Sequence, residues 1–184
     1  MLIHTSGLRL TTLEAGHLAA LVQAPASLGE LLGVSVPDQW PGIPQAYAGA
    51  LSRLREQPLL AYSGWWLYLF VSPRLGSIVG SGGFKQAPDR DGVVEIGCEI
   101  APSFRRNGFA TEAMRGLIAY AFTRPAVTAV AAHSLPKAKG PQAALARALG
   151  MQRAGEAQDP VAGKVWRWEI TRAVFVQSVQ GAKP

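Results

Sequence analysis

The stretch Val93–Phe122 reads VVEIGCEIAPSFRRNGFATEAMRGLIAYAF and joins two different patterns of apolar residues. Its first eight residues alternate between apolar and acidic or small side chains, which is typical of a strand with one buried face. From about Gly108 to Phe122 the apolar residues recur at helical spacing. A basic turn that contains a glycine therefore connects a predicted strand to a predicted helix.

That turn, Arg105 to Glu112 (RRNGFATE), has the chemistry of an anion-binding site. The first N–H groups of a helix have no partner within it and carry a partial positive charge. Gly108 lets the backbone come close to a ligand, Arg105 and Arg106 add positive charge, and Thr111 offers a hydroxyl. A bound phosphate is one interpretation of the turn, and a solvated basic cap on an ordinary helix is the other.

Two well-known phosphate-binding loops are not supported by this sequence. No GxxxxGK[ST] pattern occurs, and the glycine-rich segment Gly80–Phe84 (GSGGF) lacks the strand-to-helix context of a GxGxxG loop. Neither of the corresponding nucleotide-binding folds is predicted.

Length and composition predict one domain, residues 1–173, followed by a poorly ordered tail, residues 174–184. The chain has 184 residues, of which 48% are hydrophobic, enough for a buried core. Its net charge is +6 although only 16% of residues are charged, so the basic balance reflects few acids rather than dense Lys/Arg tracts. A nucleic-acid surface is therefore not expected, whereas an anionic small ligand is compatible with this charge.

Cys98 is the single cysteine of the chain, which excludes an internal disulfide and predicts no metal cluster. The cysteine usage fits a reducing compartment, so the expected location is the cytoplasm. The amino terminus lacks the pattern of an export signal, and no apolar run is long enough for a membrane span.

The remaining patterns predict an α/β (α+β) chain with a mixed sheet and helices on both of its faces. A loop rich in Pro and Gly precedes the second predicted helix, and alternating strands flank the turn signal Asp89–Gly92. The predicted strands are Leu8–Leu13, Trp65–Val71, Gly76–Phe84, Val93–Ile100, about 126–135 and about 164–170. The predicted helices follow Leu13, then span Gln45–Gln57, about 108–122, and about 141–150.

The decisive stretch resembles the acetyl-CoA motif of the GNAT superfamily of N-acetyltransferases. The pattern Arg105-x-x-Gly108-x-Ala110 matches the [Q/R]-x-x-G-x-[G/A] loop of that family. The segments GSGGFK, EIG, APSFR, TEA and LARALGM follow the order seen in its branch of ribosomal-protein N-terminal (RimJ/RimL-type) acetyltransferases. The resemblance extends over Leu8–Thr171.

The resemblance implies a mostly antiparallel sheet that is splayed between its fourth and fifth strands. It also implies direct transfer of an acetyl group from acetyl-CoA, without a metal, to a peptide N-terminus or a small-molecule amine in a ternary complex. Pantetheine would pair with the strand end, which a bulge near Pro102 is expected to open, and the turn would hold the pyrophosphate. The implied cofactor-binding residues are Cys98, Ile100, Ala101, Arg105, Arg106, Asn107, Gly108, Phe109, Ala110 and Thr111.

Glu95 and Glu99 are the candidate catalytic bases. Attack on a thioester requires a neutral amine, so a carboxylate or an ordered water must accept a proton. On a regular strand both acids share a face with Gly97, opposite Cys98, whose position favours packing over nucleophilic chemistry. Glu95 is the first choice because the family often places its base early on this strand. The alternative is that both acids line the solvated face of the strand.

The family's Asn-x-x-Ser motif and its tyrosine acid are not matched in this chain. Lys139 and Gln142 occupy the positions of the Asn and the Ser, and no tyrosine follows Tyr120. Solvent, His133 or Ser134 could protonate the leaving thiolate instead. These departures leave open a second hypothesis, a non-catalytic domain that binds or senses acyl-CoA. A homodimer is expected only from the habits of the family.

Overall fold

The computed structural model describes residues 1–180, which contain eight strands and six α-helices. Two short 3-10 helices, Pro58–Tyr62 and Pro102–Phe104, complete the elements. The strands are β1 Leu2–His4, β2 Arg9–Thr12, β3 Leu67–Ser72, β4 Ser77–Phe84, β5 Val93–Ile100, β6 Ala129–Ser134, β7 Gln152–Asp159 and β8 Gly163–Thr171. The helices are α1 Ala15–Gln23, α2 Pro25–Leu32, α3 Pro44–Glu56, α4 Phe109–Phe122, α5 Pro141–Ala148 and α6 Arg172–Gln180.

The strands form one sheet in the order β1-β2-β3-β4-β5-β6-β8-β7. Every neighbouring pair is antiparallel except β5 and β6, which run parallel. A parallel pair needs a long crossover, and α4 supplies it between these two strands. The predicted mixed, mostly antiparallel sheet is confirmed.

The pairing of β5 with β6 is short, and this is where the sheet opens. The two strands pair only at Val93, Val94 and Glu95, whereas β5 stays paired with β4 as far as Ile100. The gap that follows Glu95, which we call the β5–β6 opening, corresponds to the splay predicted between the fourth and fifth strands. The count differs by one because β1 was not predicted from the sequence.

Helices cover both faces of the sheet and bury two separate clusters of apolar side chains. One face packs on α4 and α5 around Leu117, Ile96 and Val130. The other face packs on α1–α3 around Leu69 and Ile78. Side chains alternate along β5, so Val94 and Ile96 point toward α4 while Glu95 and Glu99 lie on the α1–α3 face.

The bulge expected near Pro102 is a wrong prediction. The register between β4 and β5 is continuous up to Ile100, and the chain then turns through the 3-10 helix Pro102–Phe104. An irregularity lies instead between β3 and β4, where Phe70 pairs with Gly80 but Val71 pairs with Ile78. The β5–β6 opening therefore arises from the short parallel pairing rather than from an extra residue in β5.

The start of the predicted C-terminal tail is helical in this structure. Arg172 begins α6 and donates from Nη2 to the carbonyls of Arg124 (2.6 Å) and Val127 (2.7 Å). Phe175 packs on Phe122 with 5.1 Å between the ring centroids. Residues 181–184 of the predicted tail lie outside the described residues. None of the described helices is long and apolar enough to cross a membrane.

Candidate active site

The basic turn begins where β5 ends and is fastened to it by Arg105. The Nε of Arg105 donates to the carbonyl of Ile100 at 3.1 Å. Asn107 donates from its side chain to the carbonyls of Arg105 (3.0 Å) and Phe104 (3.3 Å), which closes the turn locally. Arg105 thus has a structural contact of its own, whereas Arg106 is exposed beside it.

Two positive φ angles, on either side of Asn107, set the path of the chain into α4. Arg106 has φ 62° and Gly108 has φ 81°, both in the left-handed region. The Gly108 carbonyl accepts the first α-helical bond, from the Glu112 N–H at 3.0 Å. The N–H groups of Phe109, Ala110 and Thr111 therefore precede the helical ladder, and no side chain among residues 1–180 caps them. This arrangement is suited to binding an anion.

The main chain of β5 presents polar groups to the β5–β6 opening. The Glu95 carbonyl and the Ala101 N–H both bond to the β4 side, to Lys85 (2.9 Å) and Val79 (3.0 Å). Because backbone groups alternate along a strand, those of Cys98 point the other way, into the opening. Of the three predicted pantetheine contacts, Cys98 and Ile100 lie on this edge, with the Ile100 carbonyl already bonded to Arg105. Ala101 is fully buried, and its N–H is taken by Val79.

A cavity of about 130 Å³ lies at the β5–β6 opening, between the two strands and the helices α4 and α5. Its walls are mainly apolar, with three sulfur-containing side chains and Trp168, while His133 and Gln142 supply polar atoms. The sulfur-containing residues are Cys98, Met114 and Met151. Burial, reinforced by the charge of Glu99, raises the pKa of Cys98 to about 12, so its thiol stays protonated and packs in this wall.

Glu95 stands at the edge of the opening with two basic partners. Its Oε1 lies 2.8 Å from Nδ1 of His133 and also forms an ion pair with Nζ of Lys85. The side chains of Glu95 and His133 are 24% and 18% exposed, so the carboxylate still reaches solvent while the imidazole is mostly enclosed. The Nε2 atom of His133 is buried and has no hydrogen-bond partner among the described residues. The structure therefore brings two predicted site residues together.

Glu99 makes a different contact, with the loop that precedes α3. Its Oε1 accepts the N–H of Gly42 at 2.7 Å. A Cβ on Gly42 would lie 2.4 Å from this oxygen, so a larger residue at position 42 would displace the Glu99 carboxylate. Tyr47 of α3 hydrogen-bonds with Ser81 of β4, the residue paired with Glu99. Burial, with the nearby charge of Glu99, raises the pKa of Tyr47 to about 12.

Other candidates from the sequence make no described hydrogen bond with Glu95 or His133. The Ser134 hydroxyl is buried and already donates to the Leu135 carbonyl and accepts from Trp168. Lys139 is exposed, while Gln142 lines the cavity and accepts the Leu135 N–H at 3.4 Å. Tyr120 packs against Trp65, remote from the opening.

Sequence reasoning missed Lys85, Gly42 and Tyr47 at this site. Only Lys85 had a usable signal, because β4 and β5 form a hairpin and Lys85 then falls opposite Glu95. Gly42 and Tyr47 are distant from β5 in the sequence, and only tertiary packing brings them to Glu99 and Ser81.

Comparison with known proteins agrees with this geometry. The acetyltransferase (GNAT) domain matches residues 8–152 of the chain. The chain belongs to the GNAT family of acetyltransferases. Within this family it is 30% identical over 134 residues to the uncharacterized N-acetyltransferase YjdG of Bacillus subtilis, an alignment that covers 72% of this chain and 79% of that protein. The protein is therefore an N-acetyltransferase by family.

Solved structures of other GNAT enzymes share the fold. RimL, a ribosomal L7/L12 α-N-protein acetyltransferase in complex with coenzyme A, superposes with a TM-score of 0.69 at 17% identity, covering 93% of this chain and 98% of that one. The aminoglycoside acetyltransferase AAC(6')-Ib in complex with coenzyme A gives a TM-score of 0.66 at 20% identity, covering 94% and 98%. At these identities the likeness establishes the GNAT fold and leaves the acceptor to be argued from this chain.

Proposed function

We propose that this GNAT protein transfers an acetyl group from acetyl-CoA to a primary amine by direct transfer in a ternary complex. The observation that carries the proposal is the position of His133. Its Nδ1 contacts Glu95, while its ring lines the cavity of the β5–β6 opening. The imidazole of His133 therefore contacts both the Glu95 carboxylate on the α1–α3 face and the cavity at the opening.

The residues around the opening fit acetyl-CoA. The cosubstrate supplies an activated thioester together with a pyrophosphate and an amide-containing arm. The unpaired first-turn amides of α4 and the exposed Arg106 suit the pyrophosphate, with Gly108 leaving the approach open. The backbone groups of Cys98 suit the amide arm, in the manner of an added strand.

Glu95 is the proposed general base. Lys85 and His133 both contact its Oε1, and no described hydrogen bond involves its Oε2, which can therefore receive a proton from the attacking amine. The carboxylate is also partly exposed, so an incoming acceptor can reach it. The proton can reach Glu95 directly or through one water, and in both cases Oε2 accepts it.

His133 is the proposed general acid, in place of the family's tyrosine. When protonated, it pairs with Glu95 through Nδ1 and can give the Nε2 proton to the sulfur as the C–S bond breaks and the N–C bond forms. Glu95 gains the proton that the amine nitrogen loses. Glu95 then releases a proton to solvent and His133 takes one up, so the protons balance over a turnover.

Acceptor-dependent release of free thiol tests the proposal. Purified protein with acetyl-CoA and a panel of polyamines, aminoglycosides, amino acids and short peptides should release coenzyme A with at least one acceptor. Glu95→Gln should lower kcat by about 100-fold or more, with the affinity for acetyl-CoA unchanged. Tight binding of acetyl-CoA without turnover on any amine would instead establish an acyl-CoA sensor. The cytoplasmic location and a homodimer stay predictions.

A further inference from the structure

The glycines of β4 and β5 are of two kinds. Some are required because a Cβ would clash with neighbouring backbone, and one has open space where its Cβ would be. A Cβ on Gly80 would lie 2.2 Å from the Glu99 carbonyl oxygen, and one on Gly82 would lie 2.5 Å from that of Gly97. On Gly83 it would lie 2.1 Å from the Trp66 carbonyl oxygen. These three glycines are required by neighbouring backbone. Gly97 is not, because a Cβ there would meet nothing within 4 Å.

Gly97 also has no conformational requirement for glycine. Its φ lies outside the positive range, so an L side chain would fit the backbone without strain. Glycine inside a strand weakens it, and a glycine without a packing role often marks the close approach of a ligand. Gly97 is exposed and lines the β5–β6 opening together with His133. Open space over this residue therefore belongs to the site rather than to the core.

The open space over Gly97 lies between two carboxylates. Glu95, Gly97 and Glu99 share one face of β5, and with a rise of about 3.3 Å per residue the two acids are about 13 Å apart along the strand. On the β4 side, the residue paired with Gly97 is Gly83, which adds no side chain to this space. An elongated ligand would therefore lie along β5, with one acid at each end.

The two carboxylates differ in electrical balance. Glu95 is opposed by Lys85 and His133, whereas the only described hydrogen bond of Glu99 comes from the uncharged N–H of Gly42. Tyr47 and Ser81, the other polar groups at that end, are neutral. Among the described residues Glu99 has no cationic partner, so the Glu99 end of the space is the end that attracts a positive charge.

We propose that the acetyl acceptor is an elongated amine with a second cationic group, lying over Gly97. The reacting amine faces Glu95 and the second cation is bound by Glu99. This inference rests on the proposed function and selects, among primary amines, the class of linear diamines and polyamines over neutral-side-chain peptide N-termini. Glu99 is then a specificity residue, and Gly97 keeps the path between the two carboxylates clear.

The test compares diamines from diaminopropane to diaminooctane with monoamines of the same carbon number. Wild-type protein should show kcat/KM at least about tenfold higher for the best diamine than for its matched monoamine. Glu99→Gln keeps an oxygen for the Gly42 N–H but removes the charge, so it should bring this ratio close to one. Gly97→Val should raise the KM for both amines at least about tenfold and leave the Kd for acetyl-CoA within about twofold.

Gly49→Ala is the matched control. Gly49 also has open space around its Cβ and no positive φ, but it lies on the exposed side of α3. This variant should keep wild-type kinetics. Equal use of matched diamines and monoamines by wild-type protein, or a diamine preference that survives Glu99→Gln, would overturn the inference while leaving acetyl transfer intact. Failure of every amine to release thiol would instead overturn the proposed function.

Discussion

The two sides of β5 are built in different ways. On the side of the β5–β6 opening, the strand edge and the α4 turn come from one continuous segment, Cys98–Thr111. On the α1–α3 face, Glu95 and Glu99 gain partners from separate segments, namely Gly42, Lys85 and His133. A cosubstrate that binds through backbone amides needs only local geometry, whereas selection of an acceptor needs side chains from distant parts of the chain.

The largest expected effect concerns the local side. Gly108→Trp places a large side chain at φ 81°, at the entrance to the first-turn amides of α4. The Kd for acetyl-CoA, measured by titration calorimetry, should rise by more than about 100-fold, or about 2.7 kcal/mol. Gly33→Trp is the control, because φ 64° at the end of α2 imposes similar strain on the face of the sheet opposite α4. If both variants bind acetyl-CoA normally, the turn is not the pyrophosphate site.

The next largest effect is expected at His133, which lies between the two sides of β5. Its replacement should change kcat but not the binding of acetyl-CoA. His133→Gln removes the proposed acid but keeps a side chain that can hydrogen-bond with Glu95. We expect kcat to fall about 30-fold or more while the Kd for acetyl-CoA changes by less than about threefold. Stopped-flow detection of thiol release would measure this, with His4→Gln on the exposed strand β1 as control. An unchanged kcat would favour protonation of the thiolate by solvent.

A smaller effect concerns the support of the α4 turn. Glu112 accepts hydrogen bonds from Thr5 (2.6 Å), Ser6 (3.0 Å) and the Gly7 N–H, which tie the amino terminus to the first turn of α4. Burial acts to raise the pKa of Glu112, but these hydrogen bonds outweigh it and lower the pKa. The carboxylate therefore stabilises the fold above its unfolded-state pKa, and this stability is lost as pH falls through the folded-state pKa.

Glu112→Gln should accordingly lower the free energy of unfolding by about 1 kcal/mol at neutral pH, a value kept small because the carboxylate is only half-buried. The difference from wild type should shrink in acid, as followed by urea unfolding at several pH values. Glu30→Gln, on the exposed surface of α2, is the matched control and should change little. If the difference in the free energy of unfolding stays constant down to acidic pH, the contact of Glu112 depends on the packing of its side chain rather than on its charge.

The smallest effect is expected for Cys98, which faces the cavity but is predicted to do no chemistry. Because burial and the charge of Glu99 raise the pKa of the thiol to about 12, almost none of it is ionised near neutral pH. Cys98→Ala should keep kcat within about twofold, and iodoacetamide should modify wild-type protein far more slowly when folded than when unfolded. A large loss of kcat would require a covalent role for this residue.

The segments predicted best are those whose local pattern and final contacts agree. The strand Val93–Ile100 was predicted with its observed bounds, and α3 and α4 within one residue at each end. The sequence predicts a loop from Gly29 onward because Pro and Gly are frequent there, yet the second half of α2 lies in that stretch, and Gly33 ends the helix. Strand β7 was missed because both of its faces are polar and mostly exposed, so its residues show no apolar alternation.

The sequence alone determined the sheet-and-helix class, the turn before α4 and the pairing of two acids on one face of β5. These features depend on residues close together in the chain, where periodicity and glycine placement act directly. Only the tertiary structure decided that His133 joins Glu95, that Gly42 meets Glu99, and that the space over Gly97 stays open. Such contacts depend on how β6 and the loop before α3 pack against β5, and no local pattern encodes that packing.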